Sequence, residues 1–521
     1  MENTDQRHAE MSWEASRVFD RAPGRACGNT PPASDGILAR RFLWILAAYF
    51  ICHIFARCLF SHAVELDEAE QMVLSQWLLP GYFTGPPLYT WIQAGFFHVL
   101  GLTVPALSIF KNLLLFLTYT FVFLSARRLL GNTRLSLLPS VALIFSPSIA
   151  WASQRDLSHT VIATTFCAIT FFQVTRLLDK RSTLNFILLG VVCGLGTLTK
   201  YNYLIFLVAV LVTLSTYADG RRIVLDPRFV LTALIALGMA FPHVWWALTH
   251  RELVTSTTYK LQIETHPNAI KGLGSLSAAL GAFLGLPCLM YLLLMPGAYR
   301  RQAPAGKFPF ARFFLITVVI LLALVLIFKV TFFRARWFQP VLFLFPLYLT
   351  TRLDPAAIQP VRWRWFLRIG SVFAVVMVML MLGRILAPDL TGKATLHNFP
   401  NREFAEDIRR AGFQEGLILS DEMATAANLL MWLPGSVAVT PELRKLVTDE
   451  FDKPRDVLVV WTPGRKATLP VGLRDFVKAH YKVEMDDLNP VTVRHRSRWS
   501  TIHTEKIVFA ILPASGSAPE K

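Results

Sequence analysis

Apolar stretches close to the length needed to cross a bilayer recur from about residue 41 to about residue 386, and no other feature of the chain constrains its fold as strongly. Within hydrocarbon every backbone polar group must find its partner inside the segment, so runs of this kind become helices. About eleven are expected by this rule, near residues 41–60, 107–125, 135–150, 158–176, 184–200, 202–217, 229–248, 274–295, 312–329, 338–351 and 367–386. The composition agrees, with 54% hydrophobic and 17% charged residues over 521 positions. Mean hydropathy is +0.45. The expected class is therefore a polytopic α-helical membrane protein.

The polar connectors divide into two sets. Arg127, Arg128 and Arg134, then Arg176, Lys180 and Arg181, then Arg221, Arg222 and Arg228, then Arg300, Arg301, Lys307 and Arg312, then Arg352, Arg362, Arg364 and Arg368 fill every second connector, and Arg40 and Arg41 precede the first run. The positive-inside rule makes that side cytoplasmic, which puts the amino terminus inside and, after an odd number of spans, the carboxyl-terminal region outside. Residues 61–106, 151–157, the turn around Lys200, 249–273, 330–337 and everything past 387 then face outward. This placement explains the net charge of +17 without a nucleic-acid partner, since no basic surface with interleaved aromatics is present.

Residues 1–39 are polar, contain Pro and Gly and lack an apolar core, so they read as a flexible cytoplasmic tail and not as a cleaved signal. Residues 40–386 form the membrane core. Beyond 387 the composition becomes that of a soluble fold, with a helical stretch at 401–412 and β-like runs at 416–420, 456–461 and 507–512, so a small extracytoplasmic α/β domain is expected over 387–521. Residues 61–106 are far longer than a connector needs to be. In that loop 68–79 read as a helix stopped by Pro80 and Gly81, and 88–101 as an amphipathic helix with Trp91, Phe96 and Phe97 on its apolar side. Both are expected to lie along the membrane surface. Cys52, Cys58, Cys167, Cys193 and Cys288 fall in or beside apolar runs and Cys27 lies in the tail, so no disulfide framework is indicated outside.

Glu65, Asp67, Glu68 and Glu70 crowd the start of the long loop, where acids are costly unless they are used. Asp67 with Glu70 three residues on also fits a capping box, but capping requires neither Glu65 nor Glu68. Asp156, beside Arg155 and near His159 in the next outer connector, is a second acid able to converge on the same site, or else the N-cap of a helix starting near Ser158. A partly desolvated carboxylate suits a general base acting on a hydroxyl. A departing phosphate would need cations or a metal. Lys200, Arg334 and Arg336 are outward cations; the two arginines run against the inside bias, with snorkelling anchors as the alternative. His62, Glu70 and His243 are candidate ligands for a divalent metal ion, although a lone His is more often hydrogen-bonded structure. The tryptophans at the outer boundary are accounted for by the aromatic belt.

Four pieces occur in order: Leu66-Asp67-Glu68-Ala69-Glu70, Gly81-Tyr82-Phe83-Thr84-Gly85-Pro86-Pro87-Leu88-Tyr89, Arg155-Asp156, and Gly194 to Thr199-Lys200-Tyr201. The set resembles the GT-C glycosyltransferases of the protein O-mannosyltransferase and lipid A aminoarabinose transferase superfamily, over about residues 40–350. That resemblance implies a GT-C membrane fold and an inverting transfer of a sugar from a polyprenyl-phosphate donor to a hydroxyl of a lipid, glycan or protein on the non-cytoplasmic face of a bacterial inner membrane. It casts Asp67 as general base, with Glu68 and Asp156 as accompanying acids. Lys200 and, more loosely, Arg336 would hold the donor phosphate, Arg334 being a further donor-phosphate candidate by its outward charge alone, and Pro86, Pro87 and Tyr89 belong to the substrate loop. Gly85 stands where a lysine often precedes the proline in the lipid A branch, which leaves the acceptor and any metal requirement open. A transporter or flippase of lipid-linked sugars is the rival reading. Transporters place ionisable groups near the midplane and carry inverted repeats, whereas here the charges sit at the boundary and no repeat shows. A third reading is a membrane assembly or sensor protein with an inactive transferase-like core.

Overall fold

A computed structural model describes residues 33–83, 85–255, 269–300, 306–392, 394–463, 469–484 and 488–514. Two compact units are distinguished, residues 1–42 and 43–521. The described part of the first is the opening of the helix Ala33–Phe60, so residues 33–39, expected as tail, are helical; residues 1–32 lie outside the described residues.

Among the described residues six helices are long and apolar enough to cross a membrane: Asp35–Phe60, Val104–Leu130, Ser158–Asp179, Arg228–Thr249, Ala269–Leu294 and Pro360–Leu386. Two further apolar runs are bent pairs, Thr133–Phe145 with Ser148–Arg155 at 72° and Asn202–Ser215 with Ala218–Val224 at 117°, giving up to eight spans where about eleven are expected. Thr183–Thr197 and Phe310–Leu326 are apolar helices of shorter length. The breaks have local causes. Pro147 drives Ser146 into an extended conformation (ψ 112), since the residue before a proline is pushed out of the helical region. The run expected at 338–351 divides into Ala335–Phe338, Gln339–Leu342 and Phe345–Thr351, and Pro340 and Pro346 each occupy the first turn of their piece, where a proline's missing N–H costs nothing.

The carboxyl-terminal region holds one sheet of order β2-β1-β3-β5-β4, with β1 Leu417–Ser420, β2 Val437–Val439, β3 Val457–Trp461, β4 Val491–Arg496 and β5 Thr504–Leu512. β1 is parallel to β2 and β3, and β5 runs antiparallel to β3 and β4. Every residue of β1 and β3 is buried, as strands covered on both faces should be. β4 exposes alternate residues, as an edge strand does.

This sheet shares its core with the long first loop. Ala69, Met72, Val73 and Leu74 from the helix Leu66–Leu74 belong to one buried cluster with Leu417, Leu419, Leu430 and Val459. Two side-chain amides fasten the contact. Gln76 donates to the Ala438 carbonyl (2.8 Å) and accepts from its N–H (2.9 Å), closing one edge of β2. Asn428, on the helix Met423–Leu430, treats Val64 the same way at 2.8 and 2.9 Å. The loop helix packs against the carboxyl-terminal region.

Candidate active site

The helix Leu66–Leu74 begins under backbone strain. Its N-cap, Glu65, makes no side-chain capping bond, and Leu66 has φ +49. A left-handed residue with a Cβ costs about 1–2 kcal/mol and persists only where its surroundings fix it. Asp67 therefore does not cap its own helix. Its Oδ2 accepts the backbone N–H of Ser158 at 3.0 Å, the first residue of the helix Ser158–Asp179. That helix has Leu157 as N-cap, left-handed at φ +69 and without a side-chain cap, so the carboxylate arriving from the first loop fills the place. Asp156 is not the N-cap of this helix.

Asp156 is 2% exposed. Its Oδ2 accepts from Arg155 (3.1 Å) and lies 3.6 Å from an Arg336 nitrogen, while Oδ1 is buried with no partner among the described residues. Arg336 thus reaches the site from the broken segment 335–351. Lys200, in the turn between Thr183–Thr197 and Asn202–Ser215, donates to Thr160 Oγ1 at 2.8 Å. Asp67 and Lys200 both lie within electrostatic reach of the His159 ring. Two acids and two cations from four parts of the chain therefore meet around the first turn of Ser158–Asp179, where the helix dipole itself favours negative charge.

The surrounding shell is polar and closely bonded. Gln71, one turn beyond Asp67, pairs with His159 Nε2 at 3.0 Å and accepts from Thr90 at 2.7 Å. Pro86, Pro87 and Tyr89 are buried; Pro87 precedes the helix Leu88–Leu100, and the Leu88 N–H donates to the Leu198 carbonyl at 2.9 Å, tying the substrate loop to the Lys200 turn. The Tyr89 ring lies 5.7 Å from His159 and 4.9 Å from Phe110. Burial pushes its hydroxyl up, and the nearby charges of Glu68 and Asp67 add to the effect.

Glu68 occupies a different environment. Its two oxygens meet Arg57 at 2.8 Å and Lys111 at 2.9 Å, with all three side chains nearly inaccessible. Burial pushes the carboxyl up, but Lys111 and Arg57 overcome it and hold the group well below its ordinary value. Glu65 contacts Arg384 at 2.5 Å and His397 at 3.3 Å. Burial raises the Glu65 carboxyl against the pull of Arg384, and burial also keeps His397 well below its ordinary value, hence neutral. Arg334 is exposed and stacks over Phe332 at 5.4 Å. Of the candidate metal ligands, His243 contacts the Pro80 carbonyl at 2.9 Å and the Tyr201 hydroxyl at 3.3 Å, His62 is exposed, and Glu70 is half-buried. Among the described residues no three His, Cys, Asp or Glu side chains form a metal-binding group.

Residues 84–246 match the family described as dolichyl-phosphate-mannose-protein mannosyltransferase. The chain is 30% identical over 436 residues to the lipopolysaccharide core galacturonosyltransferase RgtA of Rhizobium johnstonii, covering 81% of this chain and 87% of that one. The chain belongs to the GT-C glycosyltransferases. Lipopolysaccharide core galacturonosyltransferase RgtB of the same organism is 29% identical over 468 residues, 87% of this chain and 94% of its own. The fold is shared with ArnT from Cupriavidus metallidurans, at TM-score 0.59 and 14% identity in the apo state and 0.58 and 16% with undecaprenyl phosphate bound, each covering 91% of this chain and 98% of the other.

The charges behind this transferase site that the motifs do not reveal are Arg57, Lys111 and Arg384. All three stand inside apolar helices, and a charge placed there signals a buried partner. The amide of Gln71 carries no comparable signal, because a glutamine in a surface-like helix is unremarkable in sequence.

Proposed function

We propose that the chain transfers a uronic acid, galacturonic acid by analogy with its relatives, from a polyprenyl-phosphate donor to a hydroxyl of the lipopolysaccharide core. Transfer takes place on the periplasmic face of the inner membrane. Support for the core as acceptor comes from RgtA and RgtB, which match along most of the chain, whereas the lipid A galacturonosyltransferase RgtD is 25% identical over only 36% of it. The donor class is supported by the ArnT fold and the undecaprenyl phosphate bound to that protein.

The observation that carries the mechanism is the bond from Ser158 N–H to Asp67 Oδ2. With Oδ2 anchored, Oδ1 has no partner among the described residues and is the oxygen that takes the proton from the attacking hydroxyl. The sugar carbon is attacked on the face opposite the phosphate, the C–O bond to phosphate breaks, and the departing oxygen's charge is met by Lys200 and Arg336. Asp156 holds Arg336 and Arg155 in place through Oδ2. Glu68 acts through Arg57 and Lys111 as a positioning residue beside Asp67.

Asp67→Asn keeps an oxygen to accept the Ser158 N–H but removes the base. Expected is a fall in sugar transfer of about a hundredfold or more with normal membrane insertion. Turnover within about threefold of the unaltered chain, below the effect of losing a general base, would refute the assignment. Loss of the polyprenyl-phosphate uronic acid peak in intact-lipid mass spectra of cells without the gene would refute the donor assignment, because the donor should accumulate.

A further inference from the structure

Away from the acid site, a cavity of about 410 Å³ opens where the first loop meets the carboxyl-terminal region, lined by His62, Phe399, Pro400, Asn401, Arg402, Glu403, Trp432, Arg496 and Arg498. Its charge is one-sided: three arginines and a histidine face a single acid, Glu403. Arg402 shares its charge with Glu406 at 3.0 Å. Arg496 and Arg498 have no carboxylate partner among the described residues, and Arg498 only stacks over Trp499 at 5.3 Å. A guanidinium without a carboxylate partner has the geometry to grip a planar oxyanion. The helix Asn401–Arg410 begins at this cavity with Pro400 as its N-cap, and Asn401 Oδ1 accepts the Arg402 N–H of its first turn at 3.1 Å. Burial and then the charges of Arg498 and Arg57 push His62 down, a second sign of a positive field.

The cavity also has a feature suited to a sugar. Trp432 lines the same place half-buried, with the Arg402 guanidinium over its ring at 5.9 Å, and the accessible part of an indole ring suits the apolar face of a pyranose. His62 is tied to the same place by the bond from Asn401 to its carbonyl at 2.8 Å, and it precedes Asp67 by a stretch of chain that spans at most about 18 Å. The two places are therefore separated by no more than the length of a short saccharide.

We propose that the Arg496, Arg498, Arg402 and Trp432 cavity binds an acidic sugar of the acceptor saccharide, one bearing a carboxylate or phosphate, and so selects an anionic glycan for transfer at Asp67. The inference rests on the transferase reading for its purpose but not for its test. The full-length chain is placed in nanodiscs of phosphatidylcholine, and binding of trigalacturonate, of glucose 1-phosphate and of neutral maltotriose is measured by calorimetry. Trigalacturonate or glucose 1-phosphate binds, maltotriose does not, and R496Q/R498Q weakens the acidic probe about tenfold or more, the size of a charge-assisted pair. Arg496→Glu, at an exposed position without a partner, has the same effect, which guards against misfolding of the double variant. Asp67→Asn binds as the unaltered chain does, so failed turnover in that variant bears only on the base. Absent binding by the unaltered chain, unchanged binding by both arginine variants, or maltotriose binding equal to the acidic probes overturns the proposal. Loss of acidic-probe binding when phosphatidylglycerol replaces phosphatidylcholine also overturns it, since the cavity would then belong to a lipid headgroup.

Discussion

Replacing Glu68 by Gln removes the anion that bridges two cations that are themselves 2–3% exposed, Lys111 and Arg57. No solvent screens these charges, so the loss is that of a buried pair broken on one side, about 3–5 kcal/mol. A helical membrane protein of ordinary stability loses a large part of its margin in this way. The assay is unfolding of the purified chain by titration with SDS, followed by tryptophan fluorescence. Glu68→Gln shifts the transition by that amount, and adding Lys111→Met recovers part of it by removing one of the stranded cations. The pH dependence has a definite sign. The folded carboxyl lies below its unfolded value of about 4.3, so its stabilisation is fully present above that pH and is lost only as pH falls through the depressed folded value. The difference between variant and unaltered chain is therefore constant from pH 8 to pH 5. A cost under about 1 kcal/mol, the range of exposed pairs, or a difference that shrinks across that range, refutes the claim that this triad is buried and ionised.

Glu65→Gln costs less than Glu68→Gln in the same titration, because burial already works against the Glu65 charge; an equal or larger cost refutes the contrast. Gly81→Ala sets a Cβ 2.1 Å from the Trp246 ring, so that ring, stacked at 6.1 Å on His243, must move; overpacking of about 1–3 kcal/mol and lower transfer follow, and full activity with unchanged stability speaks against the contact. Leu66→Asn relieves the left-handed strain at an exposed position and stabilises the chain by up to about 1 kcal/mol; a destabilised variant means that φ is not strained there.

What the sequence made legible follows from how conspicuous charge is beside apolar runs. Asp67, Asp156, Lys200 and Arg336 stand out for that reason, and the structure brings them to one helix terminus. The capping geometry was not legible: Asp67 and Glu70 have the spacing of a local box, yet the acceptor bond runs to Ser158, a tertiary choice that no local pattern encodes. Pro340 and Pro346 were visible, but the uniform apolarity of 338–351 read as one span when the prolines restart the helix twice. Arg494, His495 and Arg496 hid β4, because an edge strand with a solvated face has no apolar signature, and β2 is too short to show alternation. The burial of the first-loop helix was not legible, because its apolar residues Ala69, Met72, Val73 and Leu74 meet partners that come from the sheet and the helix Met423–Leu430, hundreds of positions on in the chain.

That last contact ties the distant carboxyl-terminal region to the start of the Asp67 helix, and Asn428 tests whether transfer depends on it. Its side chain supplies both a donor and an acceptor to the backbone of Val64, three residues before Asp67, and it is fully buried. Asn428→Ala leaves an N–H and a carbonyl without partners in a closed interior, at about 1–3 kcal/mol for each buried group. Asn428→Asp retains the acceptor but loses the donor, so it should fall between the two. Asn428 touches neither the Asp67 carboxylate nor the Lys200 turn, so it is a positioning residue. Its effect should appear as a lower kcat for transfer with a KM for the lipid-linked donor close to that of the unaltered chain, because what shifts is the strained start of the Asp67 helix and not the cations that hold phosphate. A variant that loses stability but keeps kcat would show that the Asp67 backbone is fixed by Ser158 and the first-loop packing alone, and would remove the carboxyl-terminal region from the account of catalysis.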